Sequence, residues 1–134
     1  MNLKAVRSRT GSSPSTPRVV IADDEAEQLK EICDYLEGGG VDVAHALTAE
    51  AANELIDKYQ PKVALIDIRL GGNDGILLAE NIKKNYPHCD VILMSGYQNE
   101  VYRANKSSKV SFAVIDKPIP LQALARFLRA VIRA

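Results

Sequence analysis

The sequence has few cysteines, no excess of either charge and no long apolar run, and each shortage excludes a class of protein. Cys33 and Cys89 lack metal-ligand spacing, which predicts buried free thiols in a reducing cytosol and no disulfide framework. Lys and Arg number 17, as do Asp and Glu, so no overall charge attracts nucleic acid or an anionic membrane. No apolar stretch approaches the roughly 20 residues of a membrane span, and the N-terminus lacks a signal peptide's apolar core. The composition therefore predicts a cytoplasmic protein with no DNA or membrane partner.

The length and the N-terminal composition predict one domain preceded by a tail. At 134 residues the chain is long enough for one domain and too short for two. Residues 1–17 contain basic residues but no acid, and then Ser, Thr, Gly and Pro. Because such a segment buries too little apolar surface to offset the entropy lost on ordering, we predict a flexible tail over 1–17 and a folded domain over 18–134.

Strand and helix patterns alternate five times along residues 18–134. Short β-branched or apolar runs predict strands at 18–22, 41–47, 62–68, 90–94 and 111–116. Apolar residues at helical spacing follow each run, and the helix at 99–107 has the weakest apolar face. With right-handed crossovers, this alternation predicts an α/β fold, a five-stranded parallel sheet that is doubly wound with helices on both faces.

Four of the predicted strands end in polar residues suited to one reaction. Asp23 and Asp24 follow the first strand, Asp67 lies near the end of the third, Ser95 follows the fourth and Lys117 follows the fifth. Parallel strands point their carboxyl ends at one edge of the sheet, so we predict that these residues share a crevice. Crowded carboxylates repel one another, and Mg²⁺ relieves that repulsion while binding phosphate oxygens. The pattern therefore indicates phosphoryl transfer, in which an Asp beside Mg²⁺ attacks phosphorus.

Lys117 and Ser95 complete the predicted site. A transferred phosphoryl group spreads negative charge over three oxygens, which the lysine would neutralise and the Ser95 hydroxyl would hydrogen-bond. The Lys117–Pro118 peptide can be cis at modest cost, which would turn the lysine toward the crevice.

Together these motifs resemble the receiver domain of two-component response regulators. The resemblance covers residues 18–134 and rests on Asp23–Glu25, on Asp67 with a loop closing at Asp74 and Gly75, on Met94–Gly96, and on Lys117 with Pro118. It implies a CheY-like, flavodoxin-like sheet with strand order 2-1-3-4-5. It also implies a signalling phospho-acceptor that is not an enzyme with a separate substrate, although it can catalyse its own phosphorylation and dephosphorylation.

The resemblance further implies a role for each residue of the crevice. Asp67 would accept the phosphoryl group. Asp24, Asp67 and the backbone carbonyl of Arg69 would bind Mg²⁺, and Asp23 would orient the ion through water. Ser95 takes the position of the switch hydroxyl, and Lys117 that of the phosphate-binding lysine.

Partners are likewise implied by the resemblance. The donor would be a histidine kinase or a histidine phosphotransfer protein. Because the sequence stops one helix after Lys117, we expect no attached DNA-binding output domain. Output would then pass to a separate protein effector on the surface of the fourth helix, fifth strand and fifth helix. The sequence leaves open whether the protein forms a homodimer, and whether it is a stand-alone regulator or the receiver segment of a hybrid kinase.

The chain departs from the receiver pattern at one position, which keeps other functions open. Receivers commonly carry Tyr or Phe three residues before the lysine, whereas this chain has Val114 there and its nearest aromatic is Phe112. A phosphorylation-independent adaptor with a receiver fold is one alternative. A small aspartyl phosphatase is another, although it would need an acid at Arg69. A flavin-binding domain is a third, although the acids after the first strand would repel its phosphate.

Overall fold

Strands and helices alternate along the part of the chain that the structure, a computed structural model, describes: residues 5–7, 16–71, 73–96 and 112–133. The strands are β1 (Ala5–Arg7), β2 (Val19–Ala22), β3 (Val43–Ala46), β4 (Val63–Asp67), β5 (Arg69–Leu70), β6 (Asn73–Asp74), β7 (Asp90–Ser95) and β8 (Ala113–Asp116). The helices are α1 (Ala26–Gly38), α2 (Ala49–Tyr59), α3 (Gly75–Asn85) and α4 (Leu121–Arg133).

Five parallel strands form the central sheet. Their order is β3-β2-β4-β7-β8, which is the predicted order 2-1-3-4-5 when the parallel strands alone are numbered. Every residue of β2 and β4 is buried. A strand covered by helices on both faces needs apolar side chains throughout, which explains why both sequences are continuous apolar runs. The predicted α/β fold is confirmed.

The helices place one core on each face of the sheet. α2 and α3 cover one face, and α1 and α4 cover the other. Along β2 the side chains alternate between the two cores, with Val20 and Ala22 in one and Val19 and Ile21 in the other. Burial on both faces holds the ends of β2 and β4 rigidly, and candidate site residues lie at or directly after those ends.

A sixth strand joins the sheet within the segment predicted as a tail. β1 pairs antiparallel with β3, with Val6 opposite His45. The prediction of a flexible tail is therefore wrong at Ala5–Arg7. It rested on poor apolar content, but an open sheet edge offers backbone hydrogen bonds that are independent of composition. Residues 1–4 and 8–15 lie outside the described part of the chain, and the domain boundary at residue 18 stays a prediction.

Two smaller predictions concern the cysteines and one helix. Cys33 and Cys89 are both free and buried, as the sequence predicts. The helix predicted at 99–107 lies outside the described residues. Within the described ranges, none of the helices has both the length and the apolar character needed to cross a membrane.

Candidate functional site

The ends of β2, β4 and β8 bring two carboxylates and an ammonium together. Lys117 Nζ lies 2.8 Å from Asp67 Oδ2 and 3.6 Å from Asp23 Oδ2. All three side chains are largely buried at the carboxyl edge of the sheet. The ammonium thus bridges acids from two neighbouring strands, as the convergence of parallel strand ends requires.

Asp67 is held in place at both carboxylate oxygens. Its Oδ1 accepts a hydrogen bond from the Arg69 backbone N–H at 3.0 Å, and its Oδ2 accepts one from Lys117 Nζ at 2.8 Å. Charge-assisted bonds of this kind are stronger than neutral ones and fix the orientation of the carboxylate. Arg69 itself is exposed.

Gly75 packs directly against the backbone of Asp67. A Cβ built on Gly75 would lie 2.1 Å from the Asp67 carbonyl oxygen and 2.9 Å from Ile68 Cα. The Gly75 N–H also donates to the Ile68 carbonyl at 2.8 Å. The first turn of α3 therefore touches the main chain just after β4, and only glycine leaves room for that contact.

Asp23 and Asp24 have different surroundings although they are adjacent. Asp23 is buried, and its Oδ1 accepts a hydrogen bond from the Glu25 N–H at 2.9 Å. Its Oδ2 is buried and accepts no hydrogen bond, and the Lys117 ammonium lies 3.6 Å from it. Asp24 is exposed, and its Oδ2 accepts from the Gly71 N–H at 3.1 Å.

These acids fit a hard divalent cation. Carboxylate oxygens of Asp23, Asp24 and Glu25 lie within 4.8 Å of one another. The Asp23 oxygen that accepts no hydrogen bond lacks the donor that a buried carboxylate needs, and a cation such as Mg²⁺ would satisfy it. Among the described residues, this cluster includes Glu25 and omits Asp67, whose oxygens are directed at Lys117 and the Arg69 N–H. The ligand set predicted from the sequence thus stays a prediction.

The electrostatics of the cluster set two proton affinities. Burial raises the pKa of Asp23 from 3.8 to about 6; the Glu25 N–H and the charge of Lys117 oppose the rise, and the charge of Asp67 adds to it. Burial alone would lower the pKa of Lys117, but its hydrogen bond to Asp67 and the charges of the two aspartates outweigh burial and raise that pKa above 10.5. Lys117 therefore stays charged at neutral pH, whereas ionisation of the buried Asp23 carboxyl lowers the stability of the folded state.

We expect Asp23→Asn to raise the free energy of unfolding by about 3 kcal/mol at pH 7 in EDTA. Because the pKa of Asp23 in the folded protein, about 6, exceeds the ordinary 3.8, the folded state holds more protons between those values. Stability is therefore lost as the pH rises through that window, and asparagine removes the loss. Urea unfolding at pH 4 and pH 7 measures the effect, which should be confined to the higher pH.

Asp24→Asn is the matched control for that prediction. It removes the same charge from an exposed neighbour, so the unfolding free energy in EDTA should change by less than about 0.5 kcal/mol. A loss of stability in Asp23→Asn at pH 7, or an equal gain at both pH values, would contradict the expected burial cost.

Ser95 and Lys117 are joined through the backbone. Ser95 is buried at the end of β7, and its carbonyl accepts a hydrogen bond from the Lys117 N–H at 2.7 Å. The Lys117–Pro118 peptide is cis. Val114, at the position where receivers commonly have an aromatic, is half-buried and packs against the α2–α3 core, in which Phe112 is buried.

Three residues of the site lie beyond the roles assigned from the sequence. Glu25 joins the acidic cluster, the Gly71 N–H holds Asp24, and Gly75 contacts the backbone of Asp67. The Asp74–Gly75 pair closing the loop was the available signal for the last of these. Asp74 Oδ1 accepts from the Ile76 N–H at 2.9 Å and so caps α3.

Comparison with known proteins agrees with this arrangement. The chain is 32% identical over 112 residues to the regulatory protein VanR of Enterococcus faecium, a match covering 81% of this chain and 47% of VanR. It is 24% identical over 131 residues to the sensor kinase CckA of Brucella abortus, covering 96% of this chain and 14% of the kinase. The chain thus spans about half the length of VanR and a smaller part of CckA.

A solved structure and a family model also match this chain. The crystal structure of a CheY-like response regulator receiver domain protein from Methanospirillum hungatei superposes with a TM-score of 0.72 at 29% identity, covering 87% of this chain and 93% of that one. The model of the response regulator receiver domain matches residues 19–129. With its acids and its lysine at the ends of β2, β4 and β8, the chain belongs to the receiver domain family of two-component response regulators.

Proposed function

We propose that this receiver domain accepts a phosphoryl group on Asp67 in a Mg²⁺-dependent reaction and signals through altered protein contacts. The observation that carries the proposal is the ion pair between Asp67 Oδ2 and Lys117 Nζ at 2.8 Å, at the buried end of β4. A carboxylate oxygen of Asp67 attacks phosphorus, and the bond from phosphorus to the donor's histidine nitrogen breaks. Lys117 then neutralises charge on the phosphoryl oxygens.

The surrounding residues position Asp67 for this reaction. The Arg69 N–H holds Oδ1 and so leaves Oδ2 on the Lys117 side, where incoming charge is neutralised. Asp24, Asp67 and the Arg69 carbonyl would bind Mg²⁺, and Asp23 would orient the ion through water. When bound, the ion adds positive charge beside the phosphoryl oxygens. The Ser95 hydroxyl would hydrogen-bond the transferred group.

The names of two relatives support a partner of the kinase class. CckA is called a sensor kinase and VanR a regulatory protein, so this receiver would take its phosphoryl group from a histidine kinase or a histidine phosphotransfer protein. A stand-alone regulator and the receiver segment of a hybrid kinase both remain consistent with these matches. A cytoplasmic location and the absence of a DNA partner stay predictions from composition.

The effector surface would include β8 and α4 together with the helix predicted at 99–107. Phe127 on α4 is 48% exposed, and Arg126 and Arg133 are exposed on the same helix. An exposed aromatic beside positive charges suits an effector that presents an apolar and acidic surface.

Incubation of the full chain with acetyl phosphate and Mg²⁺ tests the proposed function. We expect a mass gain of one phosphoryl group, mapped to the peptide containing Asp67, and no gain when EDTA replaces Mg²⁺. Beryllofluoride with Mg²⁺ should shift the amide NMR signals around Asp67 and Lys117. If Mg²⁺ produces neither a mass gain nor a spectral change, the phospho-acceptor function is refuted.

A phosphorylation-independent adaptor is the second candidate. Val114 favours it, because a half-buried valine cannot make the inward turn that an aromatic makes at this position in other receivers. The two candidates differ in one measurement: an adaptor would bind its partner equally well before and after treatment with beryllofluoride.

A further inference from the structure

The outer edge of the sheet at β3 is covered by a strand that the family model does not include. β1 pairs antiparallel with β3, with Ala5 opposite Ala46, Val6 opposite His45 and Arg7 opposite Ala44. The receiver match begins at residue 19, so Ala5–Arg7 lie outside it. The strand is therefore an addition at an edge that the matched segment leaves open.

The backbone directions in β3 show which residue faces that edge. The carbonyls of Asp42 and Ala46 point toward β2, where they accept hydrogen bonds from the Arg18 and Asp23 N–H groups at 3.3 and 3.1 Å. Successive residues of a strand direct their backbone groups to opposite sides. The N–H and C=O of His45 therefore point outward, and Val6 is the residue of β1 that is paired with them.

The β3 edge lacks the lysine and proline residues that discourage strand pairing. Its residues, Val43–Ala46, include no Lys, Pro or Gly. At the other end of the sheet, β8 ends two residues before Pro118, which has no N–H to donate to another strand. An uncharged and regular edge such as β3 is a template for another strand.

The connection between β1 and β2 is long enough for β1 to pair with β3 of the same chain. Arg7 lies opposite Ala44 and Val19 lies opposite Val43, so two strand spacings of the sheet, about 10 Å, separate the end of β1 from the start of β2. Eleven residues connect them, and such a length spans up to roughly 35 Å. A tethered strand acts at an effective concentration on the order of millimolar, which exceeds that of a second copy in dilute solution.

We propose that the outer edge of β3 is a strand-binding site, and that β1 occupies it and thereby prevents β3 of a second copy from pairing there. The same backbone groups of His45 serve both partners, so the two pairings exclude each other. The occupant in the monomer is the chain's own N-terminal strand, and the competitor is an identical chain in antiparallel orientation.

Val6→Pro in the full chain tests this site, with Ala5→Pro as the matched control. Proline at residue 6 removes the N–H that faces His45, whereas at residue 5 it removes one that faces away from β3. At protein concentrations low enough to keep the chain monomeric, we expect amide exchange at His45 to accelerate at least tenfold in Val6→Pro and to stay unchanged in Ala5→Pro. We also expect light scattering to detect a dimer that grows with concentration in Val6→Pro alone.

Two results would overturn the proposal, and neither depends on phosphorylation. Equal exchange rates at His45 in the two variants, measured on the monomer, would show that β1 does not occupy the edge through Val6. Faster exchange in Val6→Pro with a monomer at every concentration would show that β1 does not protect against self-association. Phosphoryl incorporation should be the same in both variants and in the unmodified chain.

Discussion

Asp67→Asn is expected to reduce phosphoryl incorporation from acetyl phosphate to background, a loss of at least about a hundredfold. The amide lacks the nucleophilic oxygen, and no other described carboxylate lies within hydrogen-bonding distance of Lys117 Nζ, since Asp23 Oδ2 is 3.6 Å away. Intact mass spectrometry after incubation with Mg²⁺ measures the effect. The fold should persist, because Lys117 keeps Asp23 as a partner.

Asp116→Asn is the matched control for the loss of charge. Asp116 is exposed, precedes Lys117 directly and lies opposite Ser95 in the β7–β8 pairing. Its replacement removes one negative charge beside the crevice without removing a carboxylate that contacts Lys117 Nζ, so phosphoryl incorporation should remain within about twofold. Equal incorporation by Asp67→Asn and the unmodified chain would place the acceptor elsewhere.

Gly75→Ala is expected to lower the free energy of unfolding by about 3 kcal/mol. The added methyl group would lie 2.1 Å from the Asp67 carbonyl oxygen and 2.9 Å from Ile68 Cα. These are backbone atoms at the end of a buried strand, so they cannot rotate away as a flexible side chain would. Either α3 or the end of β4 has to shift, and the shift would also displace Asp67. Urea denaturation measures the loss, and phosphoryl incorporation should slow in the same variant.

Gly38→Ala serves as the matched control for that substitution. Gly38 is the last residue of α1, and a Cβ there would meet nothing within 4 Å. Alanine also favours the helix over glycine, so the expected change is a gain of up to about 1 kcal/mol. An unfolding free energy for Gly75→Ala within about 0.5 kcal/mol of the unmodified chain would contradict the steric argument.

The acidic cluster shows a conflict between stability and function. Asp23 is buried with one oxygen that accepts no hydrogen bond, and burial raises its pKa to about 6. A residue chosen for stability alone would not carry a charge there. Binding of a cation by this carboxylate would explain why the protein accepts the loss of stability. In that case Mg²⁺ should stabilise the folded protein by mass action.

Much of the candidate site could be predicted from the sequence because of the geometry of parallel sheets. Apolar runs identified β2, β4, β7 and β8, and each is followed or ended by a polar residue. Once the strands are parallel, their carboxyl ends must meet at one edge, and Asp67 reaches Lys117 across 50 positions of sequence. The convergence therefore did not depend on any detail of side-chain packing.

Other features depend on contacts that no local pattern encodes. The close approach of Gly75 to the backbone of Asp67 is a contact between the start of α3 and the end of β4, where the sequence indicates only a turn. Residues Ala5–Arg7 form a strand because they pair with the edge of β3, whereas the composition of their segment predicts a flexible tail. In both cases the deciding interaction joins segments whose relative placement is known only after folding.

The sequence by itself determined the α/β class and which side chains lie at the carboxyl ends of the strands, because periodicity and strand direction are local properties with a global geometric consequence, whereas the order of the parallel strands followed from the resemblance to receiver domains. Only the tertiary structure decided which oxygen of each carboxylate faces Lys117, that Glu25 joins Asp23 and Asp24, and that the edge of β3 is covered. Those outcomes depend on distances of a few ångströms between separate elements, and packing and backbone hydrogen bonding set such distances after the chain has folded.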